Sequence, residues 1–198
     1  IVAEPKAGRR TVFWRRPTGA PPSPEEIDRE LLRRARVFHT DGLFPEASLA
    51  AARAAKEAGI QVVVDAGTLR DGMLDLARSS DHFIASSTLA ASFAGDASPL
   101  EACRRLAEFG PTVVGVTLGE RGYAAIVDGR EIQRPAHPAQ AVDTTGCGDV
   151  FHAGYVYGLL EGWEVERRLD FAAWAAAKVA EHLGGRTGIP MASEWGIS

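Results

Sequence analysis

Apolar residues in this chain fall into two kinds of run. Short β-branched runs alternate with longer Ala-rich stretches of helical period. The clearest short run is 60–64, whose apolar character implies a strand buried on both faces; it ends in Asp65-Ala66-Gly67-Thr68. Residues 112–118 and 123–127 read the same way, and 37–39, 82–85 and 131–134 are shorter strands. Between them the pattern predicts helices over 24–35, 45–58, 72–78, 88–93 and 99–109. Ser23 or Pro24 opens the first, with Glu25 and Glu26 in its first turn, and Gly59 stops the second. Asp128-Gly129 is a hairpin signal. Two further helices, 147–161 and 165–183, follow, the second stopping at Gly184-Gly185. Near the N-terminus, 9–16 is β-like with aromatic residues between basic ones, and 18–24 is a turn-rich linker.

Strands alternating with helices imply an α/β fold, with a mostly parallel sheet and helices on both faces. Ligands of such sheets sit beyond the carboxyl ends of the strands. Thr40-Asp41-Gly42, Asp65-Ala66-Gly67 and Gly119 all follow expected strands, so these loops should gather on one edge. Asp41 and Asp65 are therefore candidate ligand contacts, the plainer role being to cap a following helix.

Composition narrows the picture. The 198 residues are 45% hydrophobic and 24% charged, ordinary for a soluble globular protein. A formal net charge of -4 argues against nucleic acid or an anionic membrane as partner. No apolar stretch reaches the roughly 18 residues of a membrane span. The two cysteines, Cys103 and Cys147, lack metal-type spacing, which fits a reduced, cytoplasmic setting. The first residues show neither Met nor a signal-peptide shape, and the expectation is a chain that begins partway through a longer one.

The candidate chemistry lies in Asp143-Thr144-Thr145-Gly146-Cys147-Gly148-Asp149-Val150-Phe151. Polar residues and glycines end abruptly in an apolar, helix-compatible run. Gly146 and Gly148 would let backbone N–H groups approach an anion and take up positive φ. The following helix adds unpaired N–H groups and the positive end of its dipole. Asp149 then stands where a base should be, beside the anion. Phosphoryl transfer suits such a site, because it needs positioning and charge stabilisation more than base strength. The plainer reading is a Gly-rich helix start with an Asp in its first turn. His152 falls near the same helix face as Asp149, packing being its ordinary role. Cys147 fills a small-residue slot with no His partner at a nucleophile's spacing. His39 reads as a strand-end residue, and Phe13 and Trp14 as a lid or dimer contact.

This nine-residue string resembles the C-terminal signature of ribokinase-like (pfkB) carbohydrate kinases, roughly D-T-x-G-A/C-G-D-x-F. Val116-Thr117-Leu118-Gly119-Glu120-Arg121-Gly122 is similar to the family's T-x-G-x-x-G segment, and 171–190 to its closing Ala-rich helix and Gly-rich loop. Arg10-Thr11-Val12-Phe13 resembles half of a β-sheet lid, and His39-Thr40-Asp41-Gly42 the strand end after it. The resemblance implies a three-layer ribokinase-like fold. Residues 1–18 would be part of a lid and 19–198 the C-terminal portion of the nucleotide-binding domain.

It also implies ATP-dependent phosphorylation of a sugar hydroxyl. Asp149 would be the general base and Gly146, Cys147 and Gly148 the anion hole. Thr117, Gly119 and Gly122 would follow the ATP phosphates and ribose, with Ala175 and Ala176 walling the adenine. Magnesium would accompany ATP, with no residue assigned to hold it. Asp143, Thr145 and Gly185 would match the monovalent cation (K+) site of some members. Asp41, Asp65 and Arg70 would face substrate or phosphate. Partners would be a small-molecule sugar and ATP, and a second copy of the chain through the lid. A kinase for a nucleoside or vitamin-precursor alcohol, and a non-catalytic nucleotide- or sugar-sensing protein, are the alternative readings.

The chain also departs from the family pattern. The N-terminal half with its Gly-Gly sugar motif has no counterpart, so most of the sugar pocket should be absent and the chain alone inactive. The N-x-x-E segment is replaced by Ala85-Ser86-Ser87-Thr88-Leu89-Ala90, and D-x-N-x-R by Asp65-Ala66-Gly67-Thr68-Leu69-Arg70.

Overall fold

The computed structural model describes residues 1–4, 9–15 and 18–196; residues 5–8 and 16–17 of the expected lid, with Arg16, lie outside them. The chain divides into two compact units, one of Ile1–Thr18, Glu120–Gly122 and Pro135–Ser198, the other of Gly19–Gly119 and Tyr123–Arg134. The first begins with β1 (Val2–Glu4) paired antiparallel to β2 (Arg9–Thr11), with Val2 opposite Thr11. The pattern had not shown β1. Phe13 and Trp14, just after β2, are exposed.

The other unit opens with a correction. One helix over 24–35 is expected, but a 3-10 turn (Pro24–Glu26) and a separate α1 (Arg29–Arg33) form instead. Two caps compete for one segment. Ser23 N–H donates to Glu26 Oε2 at 2.7 Å, while Asp28 Oδ1 accepts from the Glu30 and Leu31 amides, each at 2.9 Å. Ile27 between them is extended, so the second cap starts a fresh helix.

Six strands then form one sheet in chain order: β3 (Val37–Thr40), β4 (Gln61–Ala66), β5 (His82–Ser86), β6 (Val113–Thr117), β7 (Tyr123–Val127) and β8 (Arg130–Arg134). The first four are parallel, β7 returns antiparallel to β6, and β8 is antiparallel to β7. Between the parallel strands run α2 (Pro45–Glu57), α3 (Met73–Arg78), and then α4 (Ser87–Ala94) with α5 (Pro99–Ala107). Val62, Val64, Ala66, Phe83, Ala85, Val114 and Val116 share one core with Ala52, Leu76, Leu89 and Leu106 of these helices. The alternate strand positions Val63, Ile84 and Ala125 are buried as well. This is why the strands read as apolar runs rather than alternations. α2 buries only alanines, Ala47, Ala51, Ala52 and Ala55, and small side chains let a helix lie close to a sheet.

Asp81 ties the amino ends of three strands. Its carboxylate accepts the Val62 amide at 2.8 Å and pairs with Lys56, while its carbonyl accepts the Thr112 and Val113 amides at 3.0 and 3.1 Å. At the opposite edge, register aligns Ala66 near Ala85 and Ser86 with Thr117, and brings Tyr123 opposite Thr117. β4 runs two residues further than expected, because Asp65 and Ala66 still pair with Ile84 and Ala85. Asp65 is thus a half-buried strand residue and not part of the loop.

In the first unit, α6 (Cys147–Leu160) packs along α7 (Val165–Ala180). Two glycines make room: methyl groups at Gly154 and Gly158 would stand 3.1 Å from Ala172 Cα and 3.3 Å from Arg168 Cα. Val150, Ala175 and Val179 form the small core between the helices. α7 stops earlier than expected. Its Ala180 carbonyl accepts the Val142 and Asp143 amides at 2.7 and 3.2 Å, and the chain then turns out through Gly184 at φ 87°.

Candidate active site

The signature loop is organised by Asp143, which is 3% exposed. Its Oδ1 accepts the Thr145 amide and its Oδ2 the Gly184 amide, both at 2.9 Å. One carboxylate therefore stitches the loop before α6 to the loop after α7. Three residues on, Gly146 caps α6 at φ 76°. A methyl group there would stand 2.7 Å from Gly185 Cα and 2.8 Å from Gly185 O, so the two backbones touch. Gly146 is required twice over, by its dihedral angle and by this crossing.

Gly148 behaves differently, correcting the expectation of positive φ at both glycines. It lies inside α6, outside the left-handed glycines, and a methyl group on it would meet nothing within 4 Å. Its conformation suits any residue; what distinguishes it is open space. Cys147, half-buried, is the first residue of α6, and exposed Asp149 the third. The Cys147 amide donates to Thr144 O at 3.3 Å and Val150 to Gly146 O at 2.8 Å. Between them, the Gly148 and Asp149 amides have no backbone acceptor among the described residues, as at any helix start. Together with the helix dipole they make a local anion-attracting surface.

His152 is buried, 4% exposed, and its Nδ1–H donates to Gly148 O at 2.8 Å. It holds the carbonyl of the residue before Asp149. Sequence reasoning placed His152 on the right face without finding this bond; the i to i−4 spacing was the available signal. Thr145 Oγ1 is buried without a hydrogen-bond partner among the described residues.

Other candidates follow the carboxyl ends of the sheet strands. Thr117 is half-buried, its Oγ1–H donating weakly to Ala85 O at 3.4 Å. Gly119 and Gly122 take φ 61° and 88° in the turn from β6 to β7. Ser86 Oγ–H donates to Gly67 O at 2.6 Å and accepts the Leu89 amide at 3.0 Å. Asp41, exposed, closes a local turn by accepting the Leu43 amide at 2.9 Å. Arg70 is half-buried, and its carbonyl accepts the Met73 amide. Of the two alanines on α7, Ala175 packs against Val150, while Ala176 is half-buried. The described residues contain no group of three or more His, Cys, Asp or Glu side chains that could hold a metal.

A family model for "pfkB family carbohydrate kinase" matches residues 1–192. The chain belongs to that family. An ATP-dependent ribose-1-phosphate kinase from Halopiger xanaduensis is 32% identical over 167 residues, 83% of this chain and 55% of that protein. Among solved structures, a ribokinase from Thermotoga maritima superposes with a TM-score of 0.78 at 25% identity, covering 86% of this chain and 59% of that one. An Arabidopsis thaliana ribokinase complexed with ribose and ATP gives 0.70 at 29% identity, covering 82% and 55%. The pfkB chain thus has the ribokinase-like α/β fold. It spans about half the length of the curated relatives that it matches over most of its own. No helix of the described residues is long and apolar enough to cross a membrane.

Proposed function

We propose that the protein carrying this chain transfers a phosphoryl group from ATP to a hydroxyl of a small sugar, with Asp149 as general base. The observation that carries this reading is the start of α6. Exposed Asp149 sits at two amides with no backbone acceptor among the described residues, in a turn fixed by Gly146 and Asp143. Gly146, Cys147 and Gly148 form the anion hole for the transferring group, and Asp149 takes the acceptor's proton. Thr117, Gly119 and Gly122 follow the ATP phosphates and ribose, and Ala175 and Ala176 the adenine. Asp41, Asp65 and Arg70 contact substrate or phosphate.

Magnesium bound with nucleotide takes most of its ligands from phosphate and water, which needs no dedicated carboxylate cage. For a monovalent cation, Thr145 fits best, since its buried hydroxyl lacks a partner among the described residues. The Asp143 carboxylate and Gly185 carbonyl complete that donor set. Residues 1–18 contribute to a lid, through which two copies associate, in a cytoplasmic setting.

The test is ADP release by the full-length protein with ATP and magnesium, against sugars, nucleosides and vitamin-precursor alcohols. Sugar-dependent ADP release is expected. Release with nucleosides or alcohols alone would reassign the acceptor. ATP binding without transfer to any acceptor would replace the kinase by a nucleotide-sensing protein.

A further inference from the structure

Three of the chain's four tryptophans, Trp163, Trp174 and Trp195, gather in one cluster, and Trp174 also packs on the small core that holds Val150 and Cys147. Trp195 packs on Phe171 with ring centroids 5.0 Å apart, on Trp163 at 5.5 Å and on Trp174 at 6.5 Å. The Arg167 guanidinium lies over both Trp163 and Trp195, at 4.4 and 5.5 Å. Phe171 and Trp174 belong to α7, and Trp163 stands between α6 and α7. Trp195 therefore fastens the end of the described chain to this helix pair.

The segment so fastened is the one that touches the signature loop. After α7 it turns at Gly184, whose amide is held by Asp143, and passes Gly185 against Gly146. It then folds Gly188 against His182 and reaches Trp195 through a turn bond at Ile189 and a single 3-10 turn, Ala192–Glu194. Ile189 and Met191 on the way are exposed, so little apolar burial holds the segment between its ends. Segments of that kind take their order from their anchors.

We propose that Trp195 is a positioning residue. By anchoring this segment it presses Gly185 onto Gly146 and so fixes the amides at the start of α6. This rests on the reading of those amides as the anion hole, and deepens it.

Hydrogen exchange and turnover of the full-length protein test it in Trp195→Ala and Trp195→Phe. Trp195→Ala should exchange about tenfold faster or more over both 184–190 and 144–150, the loss of an aromatic pair or two, while β4 and β6 stay unchanged. Turnover should fall roughly 10- to 100-fold, as expected for a displaced site. Trp195→Phe keeps an aromatic anchor and should restore most of both. Faster exchange confined to 191–196 would overturn the proposal, as would Trp195→Phe behaving no better than Trp195→Ala. Coupled exchange in a protein that transfers no phosphoryl group would support the anchor and remove the kinase reading, so the two failures are distinguishable.

Discussion

Gly146→Ala measures how far the signature loop depends on backbone contact. The substitution puts an L-residue at φ 76°, which costs about 1–2 kcal/mol. It also drives a methyl group to 2.7 Å from Gly185 Cα and 2.8 Å from its carbonyl oxygen. Both are backbone atoms, so no side chain can swing away, and overpacking of this kind costs roughly 1–3 kcal/mol more. The sum, about 2–5 kcal/mol, is a large part of an ordinary domain's stability of about 5–15 kcal/mol. Urea unfolding followed by far-UV circular dichroism reads it as a lower midpoint. Gly148→Ala is the matched control. It sits in helical backbone with open space around it, so stability should hold or rise by up to about 1 kcal/mol. Its methyl group would nonetheless occupy the space proposed for the transferring group, so turnover of the full-length protein should fall. A Gly146→Ala unfolding free energy within about 0.5 kcal/mol of the parent would refute the close crossing.

Other outcomes follow from the same contacts. Asp143→Ala leaves the Thr145 and Gly184 amides without their acceptor and should cost about 2–5 kcal/mol in urea unfolding, Asn recovering part of it. Alkali should destabilise the chain. Burial pushes the Cys103 thiol from 9.0 up to about 12, and burial pushes the Tyr155 phenol from 10.0 up to about 12, with Arg168 partly opposing. Well below pH 9 both groups are protonated folded or unfolded; as pH rises through 9 and 10 towards about 12 the unfolded chain releases protons that the native one keeps, so stability falls. Unfolding midpoints across that range check this, and Cys103→Ala should flatten the lower part of the slope.

Much of this fold was legible because its strands are apolar on both faces and its helices carry plain stop signals. The runs at 60–64 and 112–118 fall on β4 and β6, and Gly59 ends α2 at φ 72°. What escaped depended on local competition or on partners distant in sequence. The break at Ile27 came from Asp28 outbidding a continuous helix for the Leu31 amide. Asp65 was drawn into β4 by pairing with β5, which no local pattern reveals. At the candidate site, residue types and spacing pointed to the start of α6, but not to the different demands on its two glycines. Gly146 is constrained by Gly185, thirty-nine positions away, while Gly148 is crowded by nothing among the described residues. The Asp143–Gly184 bond and the Trp195 anchor were invisible for the same reason.

The central claim is that Asp149 accepts the proton of the attacking hydroxyl, and steady-state phosphoryl transfer by Asp149→Asn in the full-length protein tests it most directly. Asn keeps the shape of this exposed first-turn side chain and removes its basicity, so folding and ATP binding should survive. Turnover should drop by about 10²- to 10⁴-fold or more, the contribution of a positioned base. Near-parental turnover in a folded, ATP-binding Asp149→Asn protein would contradict the account.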